Sequence, residues 1–462
     1  MKKRTASRAL SGAKRKLAEN PGAMFEKVIT EVEVNEECTF LRHVWRERIF
    51  TPLVTLWTFL GQVLNADPSC RNAVARVLPF LAKTKGLHPS HDPSAYGVAR
   101  KRLPEELLPR LTRTVARKLD AKVEPDGLWH GHRVKLLDGS SVSMPDTPAN
   151  QAAYPQHTTQ KPGCGFPTAR IVGLFSLLTG ALLDFAVDAL RVAETTLFRR
   201  IANALGPGDV VVADGYYCSY AELARLRSRG VWGLFGLHSG RQANFRKGKR
   251  LGRGDRLVEW TRGPRLAWMS PEEHEALPRS LSVRLLRFAC PIPGWRTDTI
   301  TVVTTLLDSE AYPARDLADL FRRRWEIETD LGHVKTTMKM DVLRTESPEM
   351  IRKELWAHLL AYNLIRTLMW DAGAHRRVCP LRLSFKGAMQ EMMALWPFSA
   401  SAARQRDLTA YYDDLLRAIG THKVPLRPNR YEPRVRKRRP KSYQFMTKPR
   451  QELKKELLAA HS

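Results

Sequence analysis

A chain of 462 residues with 43% hydrophobic content carries enough apolar side chains for a substantial core, as one large domain with appendages or two to three smaller ones. Its 76 Lys and Arg against 47 Asp and Glu leave a formal net charge of +29, far beyond what solubility needs, which implies a polyanionic partner, nucleic acid first. The six cysteines form no CxxC pair and have no histidine at metal-ligand spacing, so neither a zinc module nor a disulfide framework is indicated, and a reducing, cytoplasmic setting fits.

The chain opens on a like-charge arm, MKKRTASRALSGAKRKL, which lacks the apolar stretch of a signal peptide. Helices are expected next: FTPLVTLWTFLGQVL has apolar residues at helical period, and PEELLPRLTRTVARKL opens after a Pro-containing break and ends in Lys118. Residues 1–125 therefore read as a helical N-terminal domain with a basic arm. After KVEPDG the pattern turns to strands. HRVKLLDGSSVSMP reads as a buried strand interrupted by Asp138, RIVGLFSL and ALLDFAVDAL as a hairpin, and ETTLFRRIANAL as a helix. GDVVVADGYY is a short apolar strand ending at Asp214, SYAELARLRSRG a helix stopped by Gly230, and VWGLFGL a further strand. That succession predicts an α/β core with a mixed sheet, its first part over 126–237. The membrane-like run IVGLFSLLTGALLDFAV carries Asp184 and a central Thr-Gly pair, which fits two buried strands and a turn, so no membrane segment is expected.

Residues 238–298 alternate Gly, Arg and Trp with turns and read as a β-rich insertion. Their GKRLGRGDR lacks the Gly-Lys-Ser/Thr ending of a phosphate loop, so no nucleotide cofactor is expected. DTITVVTTLLD returns to the sheet, and a helix starting near Pro313 carries FRRRWEIETDLGHVK, so 299–372 complete the core. Residues 373–462 read as a helical region, an extended Pro- and Arg-rich tail and a short C-terminal helix.

Asp138 and Asp214 fall at or near the ends of apolar strands, where a carboxylate is costly without a cation or a chemical duty, although Asp-Gly is also a turn signal in both places. On a helix turning about 100° per residue, Phe321, Arg324, Glu328 and Lys335 fall within an arc of about 60°. Alone, Arg324 and Glu328 would be a solvated pair contributing a few tenths of a kcal/mol, on the order of 0.3. With the two aspartates they become three carboxylates suited to two Mg²⁺ ions about 4 Å apart, Mn²⁺ able to substitute, with cations alongside to hold DNA phosphates.

The pattern aromatic-x2-Arg-x3-Glu-x6-Lys at Phe321, Arg324, Glu328 and Lys335 resembles the YREK signature of bacterial DDE transposases of the insertion sequence 4 group. LLDGSSVSMPDTPANQAAYPQ and VVVADGYYCSYAEL are similar to the segments around that family's two catalytic aspartates, and RVRKRRPKSYQFMTKPR to its basic tail. The resemblance runs from about residue 40 to 450 and implies a ribonuclease-H-like core holding Asp138, Asp214 and Glu328 as catalytic metal ligands, with a β-rich insertion before the glutamate. It further implies metal-dependent cut-and-paste transposition: hydrolysis at transposon ends, often a hairpin step, and transfer of the freed 3′-hydroxyl into target double-stranded DNA by a homodimer in a synaptic complex. The implied setting is the bacterial nucleoid.

Phe321, Arg324, Trp325 and Lys335 are the expected DNA-binding set, with Phe321 replacing the family's usual Tyr and its phosphate-bonding hydroxyl. Trp260, Trp268 and Trp295 join Trp325 as candidates for stacking on a displaced base, and Gln151, Tyr154 and Gln160 are candidate contacts in the polar loop after Asp138. Two rivals share the core: a structure-specific nuclease, and a transposase-derived DNA-binding protein without catalysis. End-specific binding separates the first from a transposase, and strand nicking separates the second.

Overall fold

The structure is a computed structural model that describes residues 22–46, 48–85, 90–289, 299–399, 405–425 and 444–460. The N-terminal arm, Trp295 and residues 426–443 of the basic tail lie outside the described residues.

Helices α1 (Glu31–Phe40), α2 (Pro52–Leu64), α3 (Cys70–Lys85), α4 (Ser94–Arg102) and α5 (Leu107–Asp120) precede the sheet. Thr51 starts α2 by accepting the Val54 N–H, Pro52 fits its first turn, and every residue but Gly61 is buried, as in a helix surrounded by protein. α5 is two-sided instead, burying Leu107, Leu111, Val115 and Leu119 while Arg117 faces solvent.

The sheet follows: β1 (Val134–Ser143), β2 (Thr168–Ser176), β3 (Leu182–Ala189), helix α6 (Glu194–Ile201), β4 (Val210–Ala213), helix α7 (Tyr220–Ser228), β5 (Trp232–Gly236), then β6 (Lys249–Gly252), β7 (Asp255–Thr261), β8 (Ser280–Ala289) and β9 (Thr299–Thr304). Among the described residues the strand order is β3-β2-β1-β4-β5-β9-β8-β7-β6. β1 runs antiparallel to β2 and parallel to β4, β4 is parallel to β5, and β9 and β8 pair antiparallel beyond it. The first five positions, 3-2-1-4-5 with β4 and β5 parallel to β1, are the ribonuclease-H-like arrangement. β4 reads Val-Val-Val-Ala with all four residues buried, because a central parallel strand has no solvent face. β6, β7 and β8 continue this sheet past β9 instead of forming a sheet of their own.

After β9 come α8 (Ala314–Arg322), a 3₁₀ turn at Arg323–Trp325, α9 (Glu326–Gly332) and a π-helical turn at His333–Thr337. The single regular helix expected here is thus interrupted twice, and the 60° arc built on a constant 100° step does not hold. Phe321 and Arg324 are buried, whereas Glu328 is exposed. Helices α10 (Pro348–Arg376), α11 (Phe385–Ser399), α12 (Gln405–Ile419) and α13 (Arg450–Ala459) complete the order.

The chain divides into two compact units. The helical one comprises the described residues within 1–123, 179–183 and 332–425, the α/β one those within 124–178, 184–331 and 426–462. In the helical unit, Ser347 caps the 29-residue α10, which is buried along most of its length. Its wholly buried Asn363 donates to the Leu182 carbonyl and accepts the Leu182 N–H, both at 2.9 Å, and Tyr362 donates to the Gly180 carbonyl at 2.7 Å. Gly180 has φ +68°, and a Cβ there would come within 2.8 Å of the Arg366 guanidinium, so glycine alone makes this turn without strain. Among the described residues no helix is long and apolar enough to cross a membrane.

Candidate active site

The last Cα pair between β1 and β4 is Leu136 with Val212. Asp138 and Asp214 each stand two residues further on, so strand alternation puts both on the same side of the sheet in matching register. Asp138 is not at a strand end as expected: β1 continues to Ser143, with Asp138 opposite Gly173 of β2, and it is β4 that stops. DGS is therefore extended backbone and not a turn. Asp214 does begin one, its Oδ1 accepting the Tyr216 N–H at 2.9 Å over the 3₁₀ turn Gly215–Tyr217.

That turn is clamped by glycines. A Cβ on Gly215 would lie 2.8 Å from the Leu237 carbonyl oxygen, and one on Gly236 would lie 2.9 Å from the Gly215 nitrogen. Both obstacles are backbone, which cannot swing aside, so Gly236→Ala is expected to cost about 1–3 kcal/mol and to shift Asp214. A urea midpoint equal to that of the wild type would contradict this packing.

Burial pushes the Asp138 carboxyl up to about 6, and the charges of Asp214 and Glu194 add to this, against the Gly139 N–H and Arg324, which favour the carboxylate. The Gly139 N–H donates to Asp138 Oδ1 at 2.8 Å. Glu194, the first residue of α6, accepts from the wholly buried Tyr217 hydroxyl at 3.0 Å. Burial raises the pKa of that phenol, and Glu194, Asp138 and Asp214 raise it further. One centre thus gathers Asp138, Asp214, Glu194, Tyr217 and Arg324. The sequence reading missed Glu194 and Tyr217. The signal available was an acid opening the helix after the hairpin and a tyrosine three residues past Asp214.

Arg324 is 9% exposed and its Nε has no hydrogen-bond partner among the described residues. Its guanidinium lies 4.7 Å from the Trp325 ring centre and 5.9 Å from that of Phe321. Phe321 itself is buried, edge-on to Phe288 at 6.5 Å, so its packing uses the ring and no hydroxyl. Glu328 has no hydrogen-bond or ion-pair partner among the described residues. Lys335 lies on the π-helical turn within the helical unit, half-buried, its pKa lowered by that burial against the pull of Asp341.

The remaining candidates differ in their surroundings, and Trp268 and Gln160 are exposed. Trp260 is buried under Arg241 at 3.9 Å, and Trp268 carries Arg199 over its ring at 3.4 Å. Gln151 ties its loop together through Asp146, Gly165 and Gln156, Tyr154 is buried, and Gln160 is exposed.

Among the described residues no three His, Cys, Asp or Glu side chains stand close enough together to hold a metal ion as they are. The donor chemistry nonetheless fits a hard divalent cation. Asp138 and Asp214 each have one carboxylate oxygen held by a backbone N–H and the other without a partner among the described residues.

A ribonuclease-H-like sheet with two register-matched aspartates beside its central strands defines a class of phosphodiester-processing cores. Residues 129–364, half of the chain, match the family described as Transposase DDE domain. The transposase InsG of insertion sequence element IS4 from Escherichia coli K12 is 29% identical over 409 residues, covering 86% of this chain and 88% of that protein. The transposase of insertion sequence element IS421 from Escherichia coli is 36% identical over 64 residues, 14% of this chain and 17% of that one. A cryo-EM structure of the piggyBac transposase synaptic complex with hairpin DNA is similar over 86% of this chain and 85% of that one, with TM-score 0.45 and 10% identity. The chain belongs to the DDE transposase family, and its likeness to InsG is that of the insertion sequence 4 group expected from the signature. It is accordingly a transposase, a divalent-metal enzyme acting on the phosphodiester bonds of DNA.

Proposed function

We propose that Asp138, Asp214 and Glu328 are the catalytic carboxylates of cut-and-paste transposition, holding two Mg²⁺ ions for which Mn²⁺ can substitute. The observation that carries this reading is the register match of Asp138 and Asp214 at the point where β1 and β4 part, each with one carboxylate oxygen without a partner among the described residues. Glu328, exposed and without a partner among the described residues, has its carboxylate available for the same duty. When bound, the divalent ions activate the attacking oxygen and stabilise the leaving one.

The chain's own residues do the rest. Backbone N–H groups of Gly139 and Tyr216 fix one oxygen of each aspartate, which aims the other. Arg324, buried with an unpartnered Nε, offers a directed donor to a phosphate oxygen, and its two flanking rings limit how far it can swing. The first attack, by water, frees a 3′-hydroxyl at the element's end; the second, by that hydroxyl, joins it to another strand, either as a hairpin or into target DNA. The net charge of +29 suits a protein that holds end and target duplexes together as a homodimer, with the helical N-terminal region on the ends, at the nucleoid in the cytoplasm.

The test is strand cleavage of labelled DNA carrying the element's own ends, in Mg²⁺ or Mn²⁺, by wild type and Glu328→Ala. Lost cleavage with retained DNA binding is the expected result. Equal cleavage by both proteins would remove Glu328 from the catalytic set.

A further inference from the structure

We propose that Glu194 is a fourth acidic member of the reaction centre, a ligand for a divalent cation beside Asp138 and Asp214. The inference rests on the metal-dependent reading above and extends it to a residue outside the expected triad.

The geometry around Glu194 carries the argument. Its carboxyl group lies over Gly139, the residue that follows Asp138. A Cβ on Gly139 would come within 2.4 Å of Glu194 Cδ, 2.5 Å of Oε2 and 2.8 Å of Oε1. Any other residue in the middle of β1 would therefore evict this carboxylate, and glycine is otherwise a poor choice in a strand interior. Tyr217, wholly buried, donates its only hydroxyl proton to Oε2 at 3.0 Å, which fixes one oxygen and leaves Oε1 without a partner among the described residues.

Asp138, Asp214 and Glu194 thus repeat one pattern: one oxygen held by a Gly139 N–H, a Tyr216 N–H or a Tyr217 O–H, and the other open. Like charges gathered this way repel unless a cation lies among them. Arg324 offsets part of this repulsion at Asp138, but it forms no ion pair with any of the three among the described residues. Hard carboxylate oxygens select a hard divalent cation. The three acids do not close round an ion as they stand. The missing Cβ of Gly139 is what makes room for the Glu194 carboxylate beside Asp138, while Tyr217 holds Oε2.

The test is Mn²⁺ binding to the full-length, DNA-free protein, read from the electron paramagnetic resonance signal of free Mn²⁺, for wild type, Glu194→Gln, Gly139→Ala and Asp138→Asn. Glu194→Gln can still accept the Tyr217 hydrogen bond, so its fold and its binding of end DNA without metal are expected to persist. Its Mn²⁺ affinity should fall about tenfold or more. Gly139→Ala displaces the same carboxylate without altering it chemically, and the same loss is expected. Normal Mn²⁺ affinity in Glu194→Gln, alongside a loss in Asp138→Asn, would overturn the role of Glu194 and leave the metal-dependent reading intact. Normal affinity in both would overturn both.

Discussion

Asp138→Asn is expected to make the metal-free protein more stable at neutral pH while lowering end cleavage about a thousandfold, the effect of losing several kcal/mol of transition-state stabilisation. The two changes have one cause. Burial, with Asp214 and Glu194 nearby, raises the folded-state pKa of Asp138 from its ordinary 3.8 to about 6. A group raised in this way contributes stability that is fully present below the unfolded value, and that contribution disappears as pH rises through the folded one. At pH 7 the ionised carboxylate therefore costs the metal-free fold about 1–3 kcal/mol. Asparagine keeps the side-chain oxygen that accepts from Gly139 and carries no charge, so the variant escapes this cost. Urea unfolding in chelator should show the variant's advantage growing between about pH 4 and pH 6 and levelling above it. An advantage independent of pH would mean that Asp138 is not strained by burial, and unchanged cleavage would mean that it is not a ligand.

The same residue illustrates what was legible in the sequence. Hydrophobic runs were enough to find β1, β4 and β5, because central strands with no solvent face read as unbroken apolar text. They also separated the 171–187 run into β2 and β3, since Asp184 and a central Thr-Gly pair fit two strands and a turn better than a spanning helix. What the pattern could not give was position along a strand. Asp138 interrupts an apolar run and so looked terminal, yet β1 passes beyond it because β2 keeps pairing through Ser143 after β4 has ended. The signature shows the converse limit. Spacing assigned Phe321, Arg324, Glu328 and Lys335 to one face only by assuming constant helical pitch, and a 3₁₀ turn followed by a π-helical turn undoes that assumption. Glu194 was illegible for a third reason. Its significance depends on a missing Cβ at Gly139 and a phenol at Tyr217, residues 55 and 23 positions away in opposite directions along the chain, as 194 − 139 and 217 − 194 give.

Arg284→Met is expected to destabilise the α/β unit by about 3–5 kcal/mol. Arg284 on β8 is fully buried and pairs through two nitrogens with Asp255 on β7, at 2.9 and 2.6 Å, and Asp255 is only 4% exposed. The same guanidinium donates to the Tyr312 carbonyl at 2.7 Å and to the Asp308 carbonyl at 3.3 Å. Methionine fills much of the volume and supplies none of these donors, so a buried carboxylate and the Tyr312 carbonyl lose their partner together, while the Asp308 carbonyl keeps the Tyr312 N–H at 3.1 Å. The consequence reaches the reaction centre through the chain itself. Tyr312 precedes Pro313, which starts α8, and α8 leads without a break in the chain into the turn that carries Arg324. Cleavage of end DNA is therefore expected to fall even at temperatures where the variant stays folded. Asp255→Leu added to Arg284→Met should restore part of the stability by removing the orphaned charge. It should not restore the cleavage, because the Tyr312 carbonyl remains without the Arg284 donor. Full recovery of both would show that the pair only fills space, and that the loop before α8 needs no anchor.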